Sequence, residues 1–195
     1  MKEILKLGLI LFVITAVAAG LLGFANEMTK EPIAKQVQQT KEEAMKQTLP
    51  QADQYESVEV DLPEESMILE VNAGYKGDVL EGFAVKVAPK GFGGAIEIMV
   101  GVSKDGILQG VKILNHSETP GLGANAEDPV FTSQYEGKSG QLKVVKATPG
   151  AEDEIQAITG ATITSKAVTA GINEVLNLIE HRVDTDNNEI IFDFN

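Results

Sequence analysis

Residues 7–25 read LGLILFVITAVAAGLLGFA, 19 consecutive positions without a charge. At ~1.5 Å rise per helical residue, such a run spans a hydrocarbon core of ~30 Å. A secretory leader would carry a shorter apolar region followed by a small-residue cleavage site. Ala16, Val17 and Ala18 offer such a site, but apolar residues continue past it to Phe24 and Ala25. The run therefore reads as an uncleaved transmembrane anchor over residues 1–26. Lys2 and Lys6 precede it with only Glu3 opposing them, which places the N-terminus in the cytoplasm and residues 27–195 outside. Lys30 and Lys35, beyond the run, weaken that bias slightly.

The charge balance and the missing residue types restrict the chemistry. Net charge is −13, and −14 falls on residues 27–195 because the first 26 carry Lys2, Lys6 and Glu3. Arg182 is the one arginine. A chain this acidic offers phosphate backbones no basic face, so nucleic acid is not expected as a partner. Cysteine is absent. That excludes disulfide scaffolds, thiolate zinc sites, cysteine-ligated iron–sulfur clusters and cysteine nucleophiles. With two histidines, His116 and His181, a multi-histidine site within one chain is not expected either, and no metal ligand set is assigned. Residues 184–188 (DTDNN) imitate the start of a calcium loop, but Glu189 stands where the loop needs glycine and Asn195 where it needs a bidentate glutamate.

Residues 27–52 form a second region, polar and rich in lysine and glutamate. Ile33, Val37, Ala44, Met45 and Leu49 share a helical face, with Pro32 suited to a first turn and Pro50 to a stop. This predicts a stalk helix or, failing that, a solvated linker. From Tyr55 onward the period changes to two. Strands are expected over 57–60, 67–71, 82–87, 95–102, 107–114 and 142–145, and Asp105 with Gly106 marks a hairpin. A short helix is expected over 127–135 and a long one over 165–182, with Val168, Ile172, Val175, Leu176 and Ile179 on one stripe. Residues 189–193 could close a sheet edge. The predicted fold is α+β: an anchor helix, a stalk helix, then an antiparallel sheet with packed helices over residues 53–195.

Two stretches stand out. Residues 159–165 (TGATITS) place Thr159, Thr162, Thr164 and Ser165 around Gly160 and Ala161, directly before the long helix. A helix N-terminus carries unpaired amides and partial positive charge and suits a phosphate, and Lys166 adds a cation. Equally, Thr164 or Ser165 could be a plain N-cap. Residues 116–123 (HSETPGLG) follow a strand. Pro120 and Gly121 set a turn, and Gly123 permits close approach of a flat ligand. His116 and Glu118 could suggest acid–base work, yet no nucleophile stands beside them.

The two stretches together, roughly 40 residues apart, resemble the FMN-binding domain of the RnfG component of the Rnf electron-transport complex and of its counterpart, the NqrC component of the sodium-pumping quinone reductase. The resemblance covers nearly the whole chain, and its length favours the Rnf component. It implies FMN attached by a phosphoester to the last threonine of the T-G-A-T motif, Thr162, by a flavin transferase that uses FAD as donor. It implies a flavin neighbourhood of Thr159, Gly160, Ala161, Thr164 and Ser165 together with Glu118, Thr119, Gly121, Leu122 and Gly123, and no catalytic dyad. Lys143 reads either as a sheet lysine or as a cation facing the flavin. The family's aspartate six positions before the modified threonine is Gln156 here, with Asp153 and Glu154 nearby. The implied function is electron relay within a ferredoxin- and NAD-linked complex that moves sodium or protons, in a bacterial or archaeal plasma membrane beside other membrane and iron–sulfur subunits. The competing readings are an anchored extracytoplasmic binding or assembly module without cofactor, and a stand-alone flavin reductase.

Overall fold

The computed structural model describes residues 2–184 and 191–192, with side chains up to residue 180. The region imitating a calcium loop and most of the expected terminal edge at 189–193 lie outside the described residues. Contacts divide the chain into two compact units, Met1–Thr40 and Lys41–Asn195. A single helix, α1 (Lys2–Thr48), runs through the first unit and into the second. It is long and apolar enough over its first part to cross a membrane. Pro32, expected to open a second helix, lies inside α1. A proline removes one ladder hydrogen bond and strains one turn, and here the helix formers on both sides carry the helix through it.

In the second unit, β1 (Gln54–Val58), β2 (Ile68–Lys76), β3 (Val79–Val87), β4 (Glu97–Ser103) and β5 (Leu108–Asn115) form an antiparallel meander in sequence order. The Asp105–Gly106 hairpin joins β4 to β5, with Gly106 at φ 75°. A second tight hairpin joins β2 to β3 through Gly77 at φ 59°. Strand β2 runs on to Lys76, well past its predicted end at residue 71. Asn72 and Gly74 have poor strand propensity, but burial and cross-strand pairing override it.

Both sheet faces are covered. Phe83, Val85 and Val87 of β3 and Ile98, Val100 and Val102 of β4 share one core with Val168, Ile172, Val175, Leu176 and Ile179 of α3 (Thr162–Arg182). The predicted helical stripe is the stripe that is buried. On the opposite face, Ala84 and Met99 pack with Ala44 and Met45 of the last turns of α1. Gly101 and Gly110 are cross-strand partners beneath Thr48, whose backbone occupies the space their side chains would need. Lys41 pairs with Glu70 alongside.

Polar ties fix α3 to the sheet. Glu174 accepts from Ser66 Oγ at 2.6 Å and from the Met67 amide at 3.0 Å. Asn173 exchanges two 2.9 Å bonds with the Leu142 backbone. The expected helix at 127–135 is shorter and mixed: a 3₁₀ turn at Gly123–Glu127, α2 (Pro129–Thr132) capped by Asp128, and a second 3₁₀ turn at Ser133–Tyr135. A small parallel pair, β6 (Lys143–Val145) with β7 (Glu154–Gln156), precedes α3, and β8 (Val183–Asp184) pairs with β9 (Ile191–Phe192) after it. Three residues are too few for alternation to signal β7.

Candidate functional site

The helix α3 begins at Thr162, three residues earlier than its hydrophobic stripe suggests. Thr164 and Ser165 therefore lie inside the first turn, and neither is the N-cap. Their hydroxyls are already bonded, that of Ser165 locally and that of Thr164 across the fold. Ser165 Oγ accepts from the Ile158 amide and donates to the Ala161 carbonyl, both at 3.0 Å. These bonds fold the 158–161 turn back onto the helix, and Gly160 takes φ 77° to let it turn. Thr164 Oγ1 donates to Glu118 Oε2 at 2.5 Å. Among the described residues, no hydrogen bond engages the Thr162 hydroxyl.

Glu118 is the hub of the site. The residue is 6% exposed. Oε1 accepts from the Gly93 amide at 2.7 Å, and the Phe92 amide adds a further bond. Burial pushes the carboxyl upward. The bonds from Thr164, Gly93 and Phe92, with a smaller attraction from His116, outweigh burial and hold it below the usual carboxylate range. His116 is turned toward its own loop: Nδ1 accepts from the Glu118 amide at 3.2 Å, and Nε2 stands 3.1 Å from Glu127 Oε1 without hydrogen-bond alignment. Neither residue is arranged as an acid–base pair.

Phe92, Thr119, Leu122, Gly160, Thr162 and Ile163 surround a cleft of 330 Å³, with Glu118, Gly123, Ala161 and Thr164 completing its lining. Its volume lies at the lower end for small-molecule sites. Phe92 is 71% exposed and Ile163 57%, and they form an exposed apolar rim.

The sequence-based site residues separate into three groups. Glu118, Thr119, Leu122, Gly123, Gly160, Ala161, Thr162 and Thr164 come together at the cleft. Ser165 lies behind it, fully buried, and Thr159 lines an adjacent 300 Å³ hollow with Gln134 and Gln156. Gly121, at φ 76°, serves the turn and is not among the lining residues. Lys143 is not among them either. Its ammonium lies 3.1 Å from Asp153 and 3.4 Å from Glu154, and Asp153 chiefly holds it above its ordinary value. Lys143 thus neutralises the two acids nearest Gln156. Sequence reasoning does not single out Phe92, Gly93 or Ile163. The only signal for the first two is the glycine-rich stretch 90–94 with one aromatic in it, which reads simply as a turn.

Gly123 allows a close approach, but the approaching group is the Glu118 carboxylate. A Cβ there would lie 2.3 Å from Glu118 Oε2 and 2.7 Å from Thr164 Oγ1. Gly123→Val is expected to break this hydrogen bond and cost about 2–4 kcal/mol, from overpacking and a buried unsatisfied carboxylate. Urea unfolding checks it. A midpoint equal to that of the parent protein would show that the loop yields freely.

The family profile for the FMN-binding domain matches residues 91–177, which contain the whole cleft, and the profile for the RnfG N-terminal region matches residues 1–48. The G subunit of the Na(+)-translocating ferredoxin:NAD(+) oxidoreductase complex of Acetobacterium woodii is 40% identical over 194 residues, covering 92% of this chain and 93% of that one. The chain belongs to the RnfG family. A second member, the G subunit of the proton-translocating ferredoxin:NAD(+) oxidoreductase complex of Clostridium ljungdahlii, is 35% identical over 85% of this chain and 86% of its own. The fold is shared with the C subunit of the Na(+)-translocating NADH-quinone reductase of Parabacteroides distasonis, at a TM-score of 0.56 and 19% identity, over 75% of this chain and 94% of that one. In this chain the cleft falls inside the segment matched by the FMN-binding domain, which carries both the 116–123 and the 159–165 stretches.

Proposed function

We propose that the chain is the electron-relaying flavoprotein subunit of a ferredoxin- and NAD-linked, ion-translocating complex, with FMN in the cleft and its phosphate esterified to Thr162. The sorting of hydroxyls carries this reading. Of the four in residues 159–165, Ser165 and Thr164 are buried and bonded and Thr159 faces another hollow, whereas Thr162 lines the cleft with no bond found for its hydroxyl. The residues present fit the cofactor. Phe92, Leu122 and Ile163 offer apolar surface to a flat ring and exclude water from it, Thr119 offers a polar edge, and the first turn of α3 offers amides and partial positive charge to a phosphate. When bound, FMN supplies one- and two-electron chemistry, and the protein supplies position and electrostatics.

A threonine hydroxyl is a weak nucleophile without an adjacent base, and the one carboxylate lining the cleft, Glu118, is already engaged by Thr164 and the Gly93 amide. A separate flavin transferase acting on FAD answers that need. The Thr162 Oγ–phosphorus bond forms, the pyrophosphate P–O bond breaks, AMP leaves, and the hydroxyl proton passes to the transferase. Co-expression with a flavin transferase is expected to give a fluorescent band on a denaturing gel and a mass gain of one FMN less one water, mapped to the peptide containing Thr162. No adduct under these conditions would favour the rival reading, an anchored assembly module without cofactor.

We further assign residues 1–26 to the membrane anchor, 27–52 to the stalk and 53–195 to the cofactor domain, with the N-terminus cytoplasmic and the domain extracytoplasmic. Lys2 and Lys6 beside the uncharged run support that orientation. The partners are then the other membrane and iron–sulfur subunits of the complex. Protease added to intact spheroplasts is expected to digest the domain and spare the anchor, and a fully protected domain would reverse the orientation.

A further inference from the structure

We infer that Glu118 is a positioning residue whose fixed negative charge also lowers the reduction potential of the flavin in the cleft. The inference rests on the cofactor reading above. Three observations support it. Glu118 lines the cleft and is almost fully buried. Its donors are all neutral: the Thr164 hydroxyl and the amides of Gly93 and Phe92. Among the described residues no lysine pairs with it, and the nearby His116 ring, whose attraction is the weakest of the influences on the carboxyl, accepts a bond from the Glu118 amide without donating to the carboxylate.

The surroundings also hold the carboxylate in one place. Side chains at Gly91 and Gly123 would collide with its oxygens at 2.5 and 2.3 Å, so the carboxylate fills the space that both glycines leave open. The hydrogen bonds hold the group ionised, consistent with its lowered pKa. A ring that takes two electrons and one proton gains one negative charge. A desolvated carboxylate beside it opposes that gain far more strongly than one in water would.

Glu118→Gln tests the charge while keeping the shape. Glutamine can accept from the Gly93 amide through its oxygen and donate to the Thr164 hydroxyl, which accepts as readily as it donates. The potential of the attached flavin is measured by anaerobic dithionite titration against a reference dye, on full-length protein matured with the transferase. The expected result is an upward shift equivalent to about tenfold in the two-electron equilibrium, ~30 mV. Glu118→Asp, which keeps the charge, is expected to shift much less. Thr164→Val removes a donor and leaves the charge in place, so its potential stays at or below that of the parent protein. An unchanged potential in Glu118→Gln, an equal rise in Glu118→Asp, or a rise in Thr164→Val would each overturn the inference. Failure of the parent protein to carry flavin on the denaturing gel is a separate result, and it overturns the cofactor reading itself.

Discussion

Thr162→Ala is expected to abolish the proposed covalent attachment of flavin: after co-expression with a flavin transferase, the fluorescent band and the mass adduct should both be absent. The loss should be complete because, in the proposed attachment, the threonine oxygen forms the ester, and Thr164 and Ser165 cannot replace it from buried positions. The fold should barely notice. Thr162 is half-buried, no bond of its hydroxyl is found, and alanine is the better helix former in the first turn of α3. Stability is expected to change by less than about 1 kcal/mol. Thr162→Ser should retain the adduct, and so should Thr164→Val. A fluorescent band persisting in Thr162→Ala would move the attachment elsewhere.

The largest loss of stability is expected on the opposite face of the sheet. A side chain at Gly101 would place its Cβ 1.9 Å from the Thr48 carbonyl oxygen and 2.4 Å from its carbon. These are backbone atoms, so no rotamer relieves the clash. The last turn of α1 must lift, exposing Ala44, Met45 and Leu49, and Tyr55 would lose its bonds to the carbonyls of Leu49 and Met45 at 2.8 and 3.1 Å. Gly101→Val is expected to cost about 3–5 kcal/mol. Gly150→Ala is the contrast, since its Cβ would meet only Glu154 Oε2 at 3.8 Å. Thermal unfolding of the two variants checks the difference, and equal melting temperatures would mean that the helix end is not held where the structure has it.

Much of this architecture is legible in the residues. Alternation locates the five strands, Asp105 with Gly106 locates a hairpin, and the 3.6-residue stripe of α3 identifies the core face. The motif around Thr162 is distinctive enough to single that residue out, and the structure puts it at the cleft. What the residues alone do not supply are properties fixed by partners far along the chain. The role of Thr164 depends on a carboxylate 46 residues away, and that of Gly93 on the same carboxylate at a separation of 25. The real use of Gly123 follows from the same hub. Lys143 reads from the sequence as either a sheet lysine or a cation facing a flavin, and its ion pairs with Asp153 and Glu154 become visible only in the fold. The start of α3 is misplaced because the apolar stripe begins later than the helix, and hydroxyl-rich first turns look alike whether they cap or cross-link.

Glu118 has a further consequence, for the order in which the molecule assembles. Each strand of the meander pairs with its sequence neighbour, so its contacts are local and their loop-closure cost is low. The cleft is different. It closes only when the loop near residue 93, the loop near 118 and the first turn of α3 meet on one carboxylate. The closure between 118 and 164, at 46 residues, is expected to follow the sheet, which gives it a surface to form on. The hydroxyl of Thr162 is then presented in its cleft only by chains that have completed their fold, and a maturation enzyme of the proposed kind, if it required this arrangement, would pass over those that have not.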